Sequence, residues 1–534
     1  MKKYFLIYAV LIAYLLTLGV RVYWLSQKNG FHVDEGMTVT YANFKEYNFE
    51  YSREYTGREI KEKSFIGKSA LKDALKDIKS LWKDNRDPPH TNLYYSLLRL
   101  SLTGLKTMEI KEIIFRGGVL NLLLFTVSFG FFFLIIRRLF ADSELLQASL
   151  ALCAFLSAAT ISNTVFLRPY QIQETMFIIF CYYFIRTLDF KKYVIDNGKG
   201  YISGTVILFS LITAITLMTG YYAILFIGMF GIYVIYIKCK ERNYIEIKYY
   251  VLILILGFLL AQAFYNQFLA GFSSYRATET TRTVSADILR NIKFSLINAV
   301  SLLNIHLFTY PLIALCVICP VYLIVRGKKL LVPKLSLYIF IAALTYFVVT
   351  LFIAPYKILR YGMPVYPFFV LLPAILIYSI PAKEKKIQII AAALLCFCFL
   401  PGALNKNKIE NLFAGKQSEY VFAEEKDIPV YVYVHYYKDW NFANFWKYAN
   451  LVPYMNDDQK YYFLEKYEDL HSTQYEEFYL VMENFWGINE SNYLEDETFD
   501  ILKEIKLTGG EPETESTQGY YFLCRKLKKK RFEE

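Results

Sequence analysis

Long apolar runs recur along most of this chain and are separated by short polar loops. Runs of roughly 18 or more apolar residues have the length that a helix needs to cross a bilayer. The pattern therefore predicts a polytopic α-helical membrane protein with about eleven transmembrane helices. The predicted spans cover 4–26, 116–136, 145–163, 170–187, 201–218, 221–237, 248–266, 298–325, 335–353, 361–380 and 387–401.

The composition of the chain agrees with this pattern. Of its 534 residues, 55% are hydrophobic and 20% are charged, and the mean hydropathy is +0.28. A soluble protein has about 45–50% apolar and about 25% charged residues. Lys2 and Lys3 precede the first run as in a signal peptide. No small-residue cleavage site follows them, so we expect a retained anchor.

The net charge of +11 is divided unevenly along the chain. Residues 403–534 hold 16 Lys and Arg against 25 Asp and Glu, a balance of −9, so the remainder carries +20. A nucleic-acid-binding protein concentrates basic residues on an exposed patch, whereas here they lie in short loops between apolar runs. We therefore expect membrane lipid, and no nucleic acid, among the partners.

The basic loops predict how the chain is threaded through the membrane. Cytoplasmic loops are enriched in Lys and Arg, and with a cytoplasmic N-terminus every basic cluster between predicted spans falls on that side. The protein is then a multi-pass protein of the cell membrane, and its two long polar stretches, 27–115 and 403–534, lie outside. The basic clusters are residues 137–138, 191–192, 238–242, 326–329 and 383–386.

The two outer stretches predict different structures. In the first, 71–82 has the amphipathic spacing of a helix in the headgroup layer, and 93–105 is apolar but too short to span. The second alternates strand-like and helical segments, which predicts a small extracytoplasmic α/β domain at 403–534 after a transmembrane domain at 1–402. Its predicted strands are 430–435, 478–482 and 520–524, and its predicted helices are 440–451 and 459–470.

Two adjacent acids, Asp34 and Glu35, follow the first apolar run at the predicted membrane edge. Desolvation and mutual repulsion make that arrangement costly, which favours a use for the negative charge. Acids and bases gathered on one side of the membrane can bind a lipid-linked phosphate and activate a hydroxyl. The other polar residues predicted on that side are Asp87, His90, Arg99, Arg116, Arg168, Tyr170, Tyr221, Tyr222, Lys357, Arg360 and Tyr361.

The same residues also admit a structural interpretation. A single arginine at the end of a span usually anchors lipid headgroups, and Arg137 and Arg138 are assigned to that role alone. Headgroup phosphates do not favour acids, so this alternative is weaker for Asp34 and Glu35. The eight cysteines lie mostly in apolar runs, and the one Cys-x-x-Cys pair has no second pair beside it. We therefore expect packing cysteines and no metal site.

The order of these motifs resembles a known family. A first span ends in an acidic pair, an Asp-Pro-Pro segment precedes Leu-Tyr-Tyr, and an arginine opens the next span. This layout is similar to that of the protein O-mannosyltransferase-like glycosyltransferases of the GT-C fold, including the aminoarabinose transferases that modify lipid A. The similarity covers residues 1 to about 400, although three residues, His90-Thr91-Asn92, are added before the leucine. The segments that carry it are Asp34-Glu35, Asp87-Pro88-Pro89-His90, Arg116, Arg137-Arg138-Leu139-Phe140, Leu167-Arg168-Pro169-Tyr170 and Arg360-Tyr361-Gly362-Met363-Pro364.

The resemblance implies a reaction and a division of roles. Such enzymes transfer a sugar, with inversion, from a polyprenyl-phosphate donor to an acceptor hydroxyl outside the membrane, and the loop at 268–298 would close over the donor. The acceptor stays open between protein, lipid and wall polymer, and so does a divalent cation at the acidic pair. The implied catalytic residues are Asp34, as the base, with Glu35 and Asp87. The implied substrate-binding residues are His90, Arg116, Tyr170, Tyr221 and Tyr361, with Arg168, Lys357 and Arg360 on the phosphate.

Two other classes of function stay open on the residues alone. A lipid or polysaccharide transporter or flippase would need polar residues inside the spans and paired repeats, whereas the polar residues are predicted at one face. A non-catalytic membrane scaffold would place the function in the C-terminal tail and leave the acidic pair unexplained. We therefore expect a glycosyltransferase that depends on a lipid-linked sugar phosphate.

Overall fold

The structure of the chain is a computed structural model, and helices make up most of the part that it describes. Long apolar segments form helices in a membrane because a helix satisfies its own backbone hydrogen bonds. The described residues are 2–84, 87, 90–105, 109–188, 199–273, 275–286, 288–307, 310–413, 425–433, 448–465, 475–484, 513–515 and 521–528.

The α-helices and strands are numbered here in chain order. The helices are α1 (Lys2–Gln27), α2 (Val33–Ala42), α3 (Gly57–Ser64), α4 (Leu71–Lys83), α5 (Leu93–Ser101), α6 (Ile110–Leu139), α7 (Glu144–Cys153), α8 (Ala158–Val165), α9 (Tyr170–Thr187), α10 (Lys199–Leu217), α11 (Ala223–Lys240), α12 (Tyr244–Phe264), α13 (Tyr275–Ala286), α14 (Ile288–His306), α15 (Tyr310–Val325), α16 (Lys334–Ile353), α17 (Leu371–Tyr378) and α18 (Lys385–Leu404). The strands are β1 (Glu54–Thr56), β2 (Val430–Tyr433), β3 (Lys460–Leu464), β4 (Glu477–Asn484), β5 (Glu513–Glu515) and β6 (Tyr521–Lys528). Short 3₁₀ segments include Leu269–Ser273, Leu359–Tyr361 and Met363–Val370.

The protein is a multi-pass membrane protein. Among the described residues, 6 helices are long and apolar enough to cross a membrane, and α7 with α8, which are bent by 53°, add a seventh if they form one span. Many apolar side chains of α1 are exposed, Leu11 by 49% and Ile12 by 57%, as expected of a helix that faces lipid. The count of eleven spans stays a prediction. Shorter apolar helices lie at Gly204–Leu217, Leu312–Val325 and Met363–Tyr378.

The structure differs from the sequence-based expectation at 298–325, where one span was predicted. That run is divided between the end of α14 and the whole of α15. Pro311 stands at the second position of α15. Proline lacks a backbone N–H and is tolerated in the first turn of a helix, so a helix start near this residue has a local cause.

The chain forms two compact units, each described here by itself. Unit 1 comprises Met1–Trp24, Trp82–Tyr94 and Gly118–Glu410. Unit 2 comprises Leu25–Leu81, Tyr95–Gly117 and Asn411–Glu534. Most of the predicted outer loop therefore belongs to the same unit as the C-terminal residues. The prediction of a domain boundary near residue 402 stays a prediction.

Aromatic side chains from several helices form the core of unit 1. The rings of Phe177 and Phe226 stack with their centroids 4.3 Å apart and an interplanar angle of 6°. Phe368 packs against Phe226 and against Phe132, at 5.7 Å and 5.8 Å. Buried aromatic rings supply large contact areas with preferred geometry, so this core fixes α6, α9, α11 and the 3₁₀ segment Met363–Val370 against one another.

A six-stranded sheet with the order β1-β3-β2-β4-β6-β5 is the centre of unit 2. β2 pairs in parallel with β3 and β4, and the other pairs are antiparallel. β1 comes from the predicted outer loop, far from the other strands in sequence. All four residues of the central strand β2 are buried, as in parallel sheets generally.

The structure confirms strands close to 430–435, 478–482 and 520–524, as β2, β4 and β6. The prediction of a helix at 459–470 is wrong for its first part, because Lys460–Leu464 is the strand β3. Its three consecutive aromatic residues favour a strand, and pairing with β1 and β2 outweighs the helical spacing. Of the helix predicted at 440–451, residues 440–447 lie outside the described residues, and 448–451 form a turn.

The helices predicted at 71–82 and 93–105 are confirmed as α4 and α5. Both belong largely to unit 2, where Arg99 of α5 donates through Nε to Asp77 Oδ2 of α4 at 2.8 Å and through Nη2 to Lys68 O at 2.7 Å. Arg99 is fully buried. This arginine therefore joins two helices. Their position at the membrane surface stays a prediction.

Candidate functional site

Asp34 and Glu35 lie in the first turn of α2, a helix whose residues are all buried. His32 precedes the helix, and its Nδ1 accepts a hydrogen bond from the Asp34 backbone N–H at 3.1 Å. In return, the His32 backbone N–H donates to Glu35 Oε2 at 2.8 Å. This reciprocal arrangement is a capping box. It fixes the start of α2 and so the direction in which both acids leave the backbone.

Glu35 also forms an ion pair that the sequence analysis did not predict. Lys28 Nζ lies 3.0 Å from Glu35 Oε2 and 2.5 Å from Asn411 O, and both charged side chains have zero exposure. Burial lowers the pKa of Lys28, and the Glu35 carboxylate acts in the opposite direction. The contacts of Glu35 thus support a structural role, in which it secures α2 to the segments around Lys28 and Asn411.

Replacing Glu35 with alanine should destabilise the protein strongly. Removing one partner of a buried ion pair leaves an uncompensated charge, at a cost of about 3–5 kcal/mol. Thermal unfolding of purified protein in detergent would measure it. The control is Glu54→Ala, which breaks the exposed ion pair with Lys460 in the same unit, at 3.1 Å. Equal unfolding temperatures for the two variants would contradict a structural role for Glu35.

Asp34 has a different environment from its neighbour. Its carboxylate Oδ2 lies 3.6 Å from His32 Nδ1, and 9% of the side chain is exposed. The N-terminus of a helix carries a partial positive charge that stabilises an anion in the first turn. Asp34 is therefore a carboxylate held at a helix start, a setting that favours its charged form.

In unit 1, Asp87, His90 and Arg168 form one cluster, called here the Arg168 cluster. Arg168 Nη1 lies 3.4 Å from Asp87 Oδ2, and His90 Nδ1 lies 3.1 Å from the same oxygen. Arg168 Nη2 is 3.2 Å from His90 Nδ1. Arg168 is 3% exposed and Asp87 1%. The Asp87 carboxylate thus balances a buried guanidinium, and predicted site residues from two separate motifs are brought together.

The turn between α8 and α9 explains why Arg168 is held in place. Proline at position 169 is the N-cap of α9. A residue before proline is kept out of the helical conformation, so α8 and α9 cannot merge and Arg168 lies between them. Tyr170 follows, with its ring 6.0 Å from Phe166 in a stacked arrangement and 6.1 Å from His90 edge to face. Tyr170 therefore lies beside the Arg168 cluster, as predicted for a site residue.

Lys357, Arg360 and Tyr361 lie together in the segment between α16 and α17, also in unit 1. Lys357 Nζ donates to Phe352 O at 2.9 Å and to Ala354 O at 2.8 Å, which caps the end of α16. Burial lowers the pKa of Lys357. These bonds support a structural role for Lys357 beside the predicted phosphate-binding one.

The Arg360 guanidinium carbon lies 5.6 Å from the centre of the Tyr361 ring, a cation–π distance. Tyr361 meets Tyr222 edge to face at 5.9 Å. Arg360 also interacts electrostatically with Glu410: burial raises the pKa of the Glu410 carboxyl, and Arg360 opposes that rise. Sequence reasoning missed Glu410, because nothing in its neighbourhood distinguishes it from other acids of the tail.

The last two predicted residues have separate settings. Arg116 belongs to unit 2 and donates through Nη1 to Thr103 O at 2.9 Å and Ser101 O at 3.3 Å, which caps the end of α5. Tyr221 belongs to unit 1, within electrostatic range of Asp87, and its ring stacks on Phe268 at 5.5 Å. Tyr221 thus lies near the Arg168 cluster and anchors the start of the predicted closing loop, whereas Arg116 shares no described contact with that cluster.

Within the described part of the chain, no group of three or more His, Cys, Asp or Glu side chains is arranged to hold a metal ion. The Glu35 carboxylate is already engaged by Lys28. The geometry therefore adds no support to the suggestion of a divalent cation at the acidic pair. What the Arg168 cluster can do is bind an anion, because a guanidinium offers a rigid fork of donors that matches phosphate.

Comparison with known proteins gives a likeness at the level of structure. No protein-family model and no curated protein matches the sequence. The crystal structure of ArnT from Cupriavidus metallidurans bound to undecaprenyl phosphate matches with a TM-score of 0.50 and 11% identity, over 96% of this chain and 97% of that one. The apo state of the same protein matches with a TM-score of 0.47 and 10% identity over the same shares. The predicted likeness to the GT-C fold is confirmed: the chain shares its fold with the aminoarabinose transferase ArnT.

Proposed function

We propose that the protein is an inverting glycosyltransferase that moves a sugar from a polyprenyl-phosphate donor to an acceptor hydroxyl. The observation that carries the proposal is the Arg168 cluster, in which a buried guanidinium lies beside the Asp87 carboxylate in a multi-pass membrane protein. A buried arginine is costly unless it is paired or bound to an anion. That ArnT, which has the same fold, was crystallised with undecaprenyl phosphate supports a lipid phosphate as this anion.

The reaction needs one base and a set of cations. The bond between the sugar C1 and the donor phosphate oxygen breaks, and the phosphate oxygen keeps the electron pair. The acceptor oxygen forms the new bond to C1 from the opposite face and passes its proton to a carboxylate base, the role that the family resemblance implies for Asp34. Arg168 and Arg360 stabilise the departing lipid phosphate, which leaves as an anion and needs no general acid. Tyr170 and Tyr221 frame the donor beside the Arg168 cluster.

A transporter is the second candidate, because charged residues are buried in the helices at two of the predicted spans. Arg21 lies in α1 and Glu174 in α9, and both are fully buried. Charges in transmembrane segments often mark a substrate path. Here, however, Arg21 and Glu174 are hydrogen-bonded to neighbouring protein groups. Arg21 Nη2 is buried without a hydrogen-bond partner, but the other bonds favour a fixed structural network over a transport path.

Mass spectrometry of lipid-linked and surface glycans, from cells with and without the gene, tests the proposal. We expect cells without it to lose one sugar modification and to accumulate the corresponding polyprenyl-phosphate sugar. An unchanged surface with the donor accumulated on the cytoplasmic side would instead favour a transporter. Unchanged pools of every lipid-linked sugar would contradict both functions.

The proposed orientation predicts the sidedness of single cysteines. In a variant without native cysteines, introduced thiols should react with an impermeant maleimide from outside at Glu62, Thr278 and Asp458, and from inside at Lys240 and Lys329. All five positions are exposed, and the positive-inside rule gives their sides. Comparing the labelling of whole cells with that of inverted membrane vesicles shows on which side of the membrane each cysteine lies. Protection of Asp458 in whole cells would overturn the extracytoplasmic assignment of the tail.

A further inference from the structure

A buried polar network lies behind the Arg168 cluster in unit 1. It begins at Arg21 of α1, which is six residues before the helix ends and fully buried. Arg21 Nε donates to Thr164 Oγ1 at 2.9 Å, and Nη1 donates to Phe155 O at 2.8 Å. Its guanidinium also lies 4.0 Å from the centre of the Phe125 ring. Arg21 thus bonds to the bend between α7 and α8 and to the last turn of α8.

The network continues to a buried acid on α9. Thr164 Oγ1 donates to Gln171 Oε1 at 2.7 Å, and Gln171 Nε2 donates to Glu174 Oε1 at 2.9 Å. Asn163 Nδ2 completes the acid's contacts by donating to Glu174 Oε2 at 2.9 Å. These bonds fix α8 against α9. They lie on both sides of the turn that carries Arg168.

Asn121 of α6 holds the same turn from another direction. Its Nδ2 donates to Thr164 O at 2.9 Å and to Phe166 O at 3.1 Å, the carbonyls where α8 ends. Tyr94 Oη donates to Asn121 Oδ1 at 3.0 Å, which orients the amide. Asn121 and Thr164 are both fully buried. The backbone immediately before Arg168 is therefore secured by side chains from α1, α6 and α9.

The cost of this arrangement argues for a use beyond stability. Buried ion pairs and polar networks are often no more stabilising than apolar packing of the same volume, yet losing one member is costly. Apolar side chains can shift against one another, whereas each hydrogen bond of this network requires one donor–acceptor geometry. A site that binds an anion through a single guanidinium needs such a fixed geometry, because bidentate bonds fail when the fork is displaced.

We propose that Arg21, Asn121 and Glu174 are positioning residues that hold the α8–α9 turn so that Arg168 meets the donor phosphate. The inference rests on the proposed function, since it takes Arg168 as a phosphate ligand. Arg21 and Glu174 lock α8 to α9, and Asn121 sets the path of the chain into position 168. None of the three contacts the phosphate itself. They act by holding the backbone of the turn that contains Arg168.

The test is the affinity of the purified full-length protein for undecaprenyl phosphate, compared with undecaprenol, which lacks the phosphate. Asn121→Ala should raise the Kd for undecaprenyl phosphate about tenfold and leave the Kd for undecaprenol unchanged. The control is Gln147→Ala. Gln147 is equally buried and donates to two carbonyls, Phe140 O and Ala141 O, but at a different loop. Gln147→Ala should lower the unfolding temperature as much as Asn121→Ala does, without the loss of affinity for undecaprenyl phosphate.

A milder variant keeps the test valid if Asn121→Ala does not fold. Tyr94→Phe removes only the hydroxyl that orients the Asn121 amide and should weaken phosphate binding about two- to threefold. In an Arg168→Gln background, neither variant should weaken binding further, because the turn then presents no guanidinium. Additive effects in that background would overturn the positioning role.

The outcomes separate this inference from the proposed function. If Arg168→Gln leaves the Kd for undecaprenyl phosphate unchanged, the phosphate-site assignment fails. If Arg168→Gln weakens binding but Asn121→Ala and Tyr94→Phe do not, the phosphate site stands and the positioning inference fails. If Gln147→Ala weakens phosphate binding as much as Asn121→Ala, the effect is general loosening and the inference fails as well.

Discussion

Replacing Asp34 with asparagine should lower the rate of sugar transfer by about 10²–10⁴, the usual loss when a general base is removed. Asparagine has the same size and can still occupy the first turn of α2, so the protein should fold normally. It cannot take a proton from the acceptor hydroxyl. The rate constant kcat should therefore fall while the Kd for undecaprenyl phosphate stays unchanged. Turnover of a lipid-linked sugar by purified protein measures the first quantity, and equilibrium binding the second.

The matched control is Asp73→Asn, which changes a half-buried acid of the same unit in α4. It should leave kcat unaltered. Full turnover by Asp34→Asn would exclude Asp34 as the base, and Asp87→Asn would then be the next variant. Glu35 is a weaker candidate for the general base, because its carboxylate is engaged by Lys28 and by the His32 backbone.

Much of the helical architecture was predictable, because the hydrophobic periodicity and composition of a segment favour a helix without reference to distant residues. A run of apolar residues long enough to cross a bilayer has few alternatives to a helix. In the outer loop, amphipathic spacing predicted α4, and a short apolar run predicted α5. The position of Arg168 at a helix break was predictable for a related reason. A proline directly after an arginine at a span end both breaks the helix and leaves that arginine at the break.

The remaining features depend on partners that are distant in sequence. Glu35 was predicted to share the chemistry of Asp34, yet it pairs with Lys28 because α2 turns its two acids toward different neighbours. The segment at 460–464 was assigned to a helix, and pairing with β1, some 400 residues earlier, makes it a strand. The residues next to Glu35 and next to 460–464 in the sequence do not indicate which partner either of them pairs with.

The polar residues inside the spans were overlooked for a different reason. Arg21 and Glu174 are visible in the sequence as charges within apolar runs, and such charges are a functional signal by default. The prediction that polar residues gather at one face therefore described the chain incompletely. What the sequence did not reveal was that α1, α6, α8 and α9 converge on one turn, and this convergence turns isolated polar residues into a network.

The charge balance of the Arg168 cluster has a consequence for binding. In the structure the Asp87 carboxylate partners the Arg168 guanidinium, and His90 lies against both. A guanidinium has five N–H donors and can bind a phosphate through a rigid fork. The carboxylate then limits the net positive charge and orients the fork. This arrangement favours selective capture of a phosphate over loose attraction of lipid headgroups.

Arg168→Lys should therefore weaken binding of undecaprenyl phosphate almost as much as Arg168→Ala does. Lysine keeps the charge but replaces the planar fork by a single ammonium group. Hydrogen bonds to charged groups contribute about 1.5–3 kcal/mol, so we expect the Kd to rise about 10–100-fold in both variants. Arg360→Lys and Arg360→Ala should follow the same pattern if Arg360 is the second ligand. Equilibrium titration in detergent, at one fixed salt concentration, measures all four.

The lysine variants separate a phosphate ligand from a headgroup anchor, because only the ligand depends on the geometry of the fork. An anchor would tolerate lysine and respond to alanine through insertion or expression. Arg137→Lys and Arg137→Ala supply the comparison, since Arg137 is exposed and was assigned to anchoring alone. Donor binding should be normal in both. Wild-type Kd values for all the Arg168 and Arg360 variants would contradict the phosphate-site assignment. The buried guanidinium of Arg168 would then have no assigned part in the reaction.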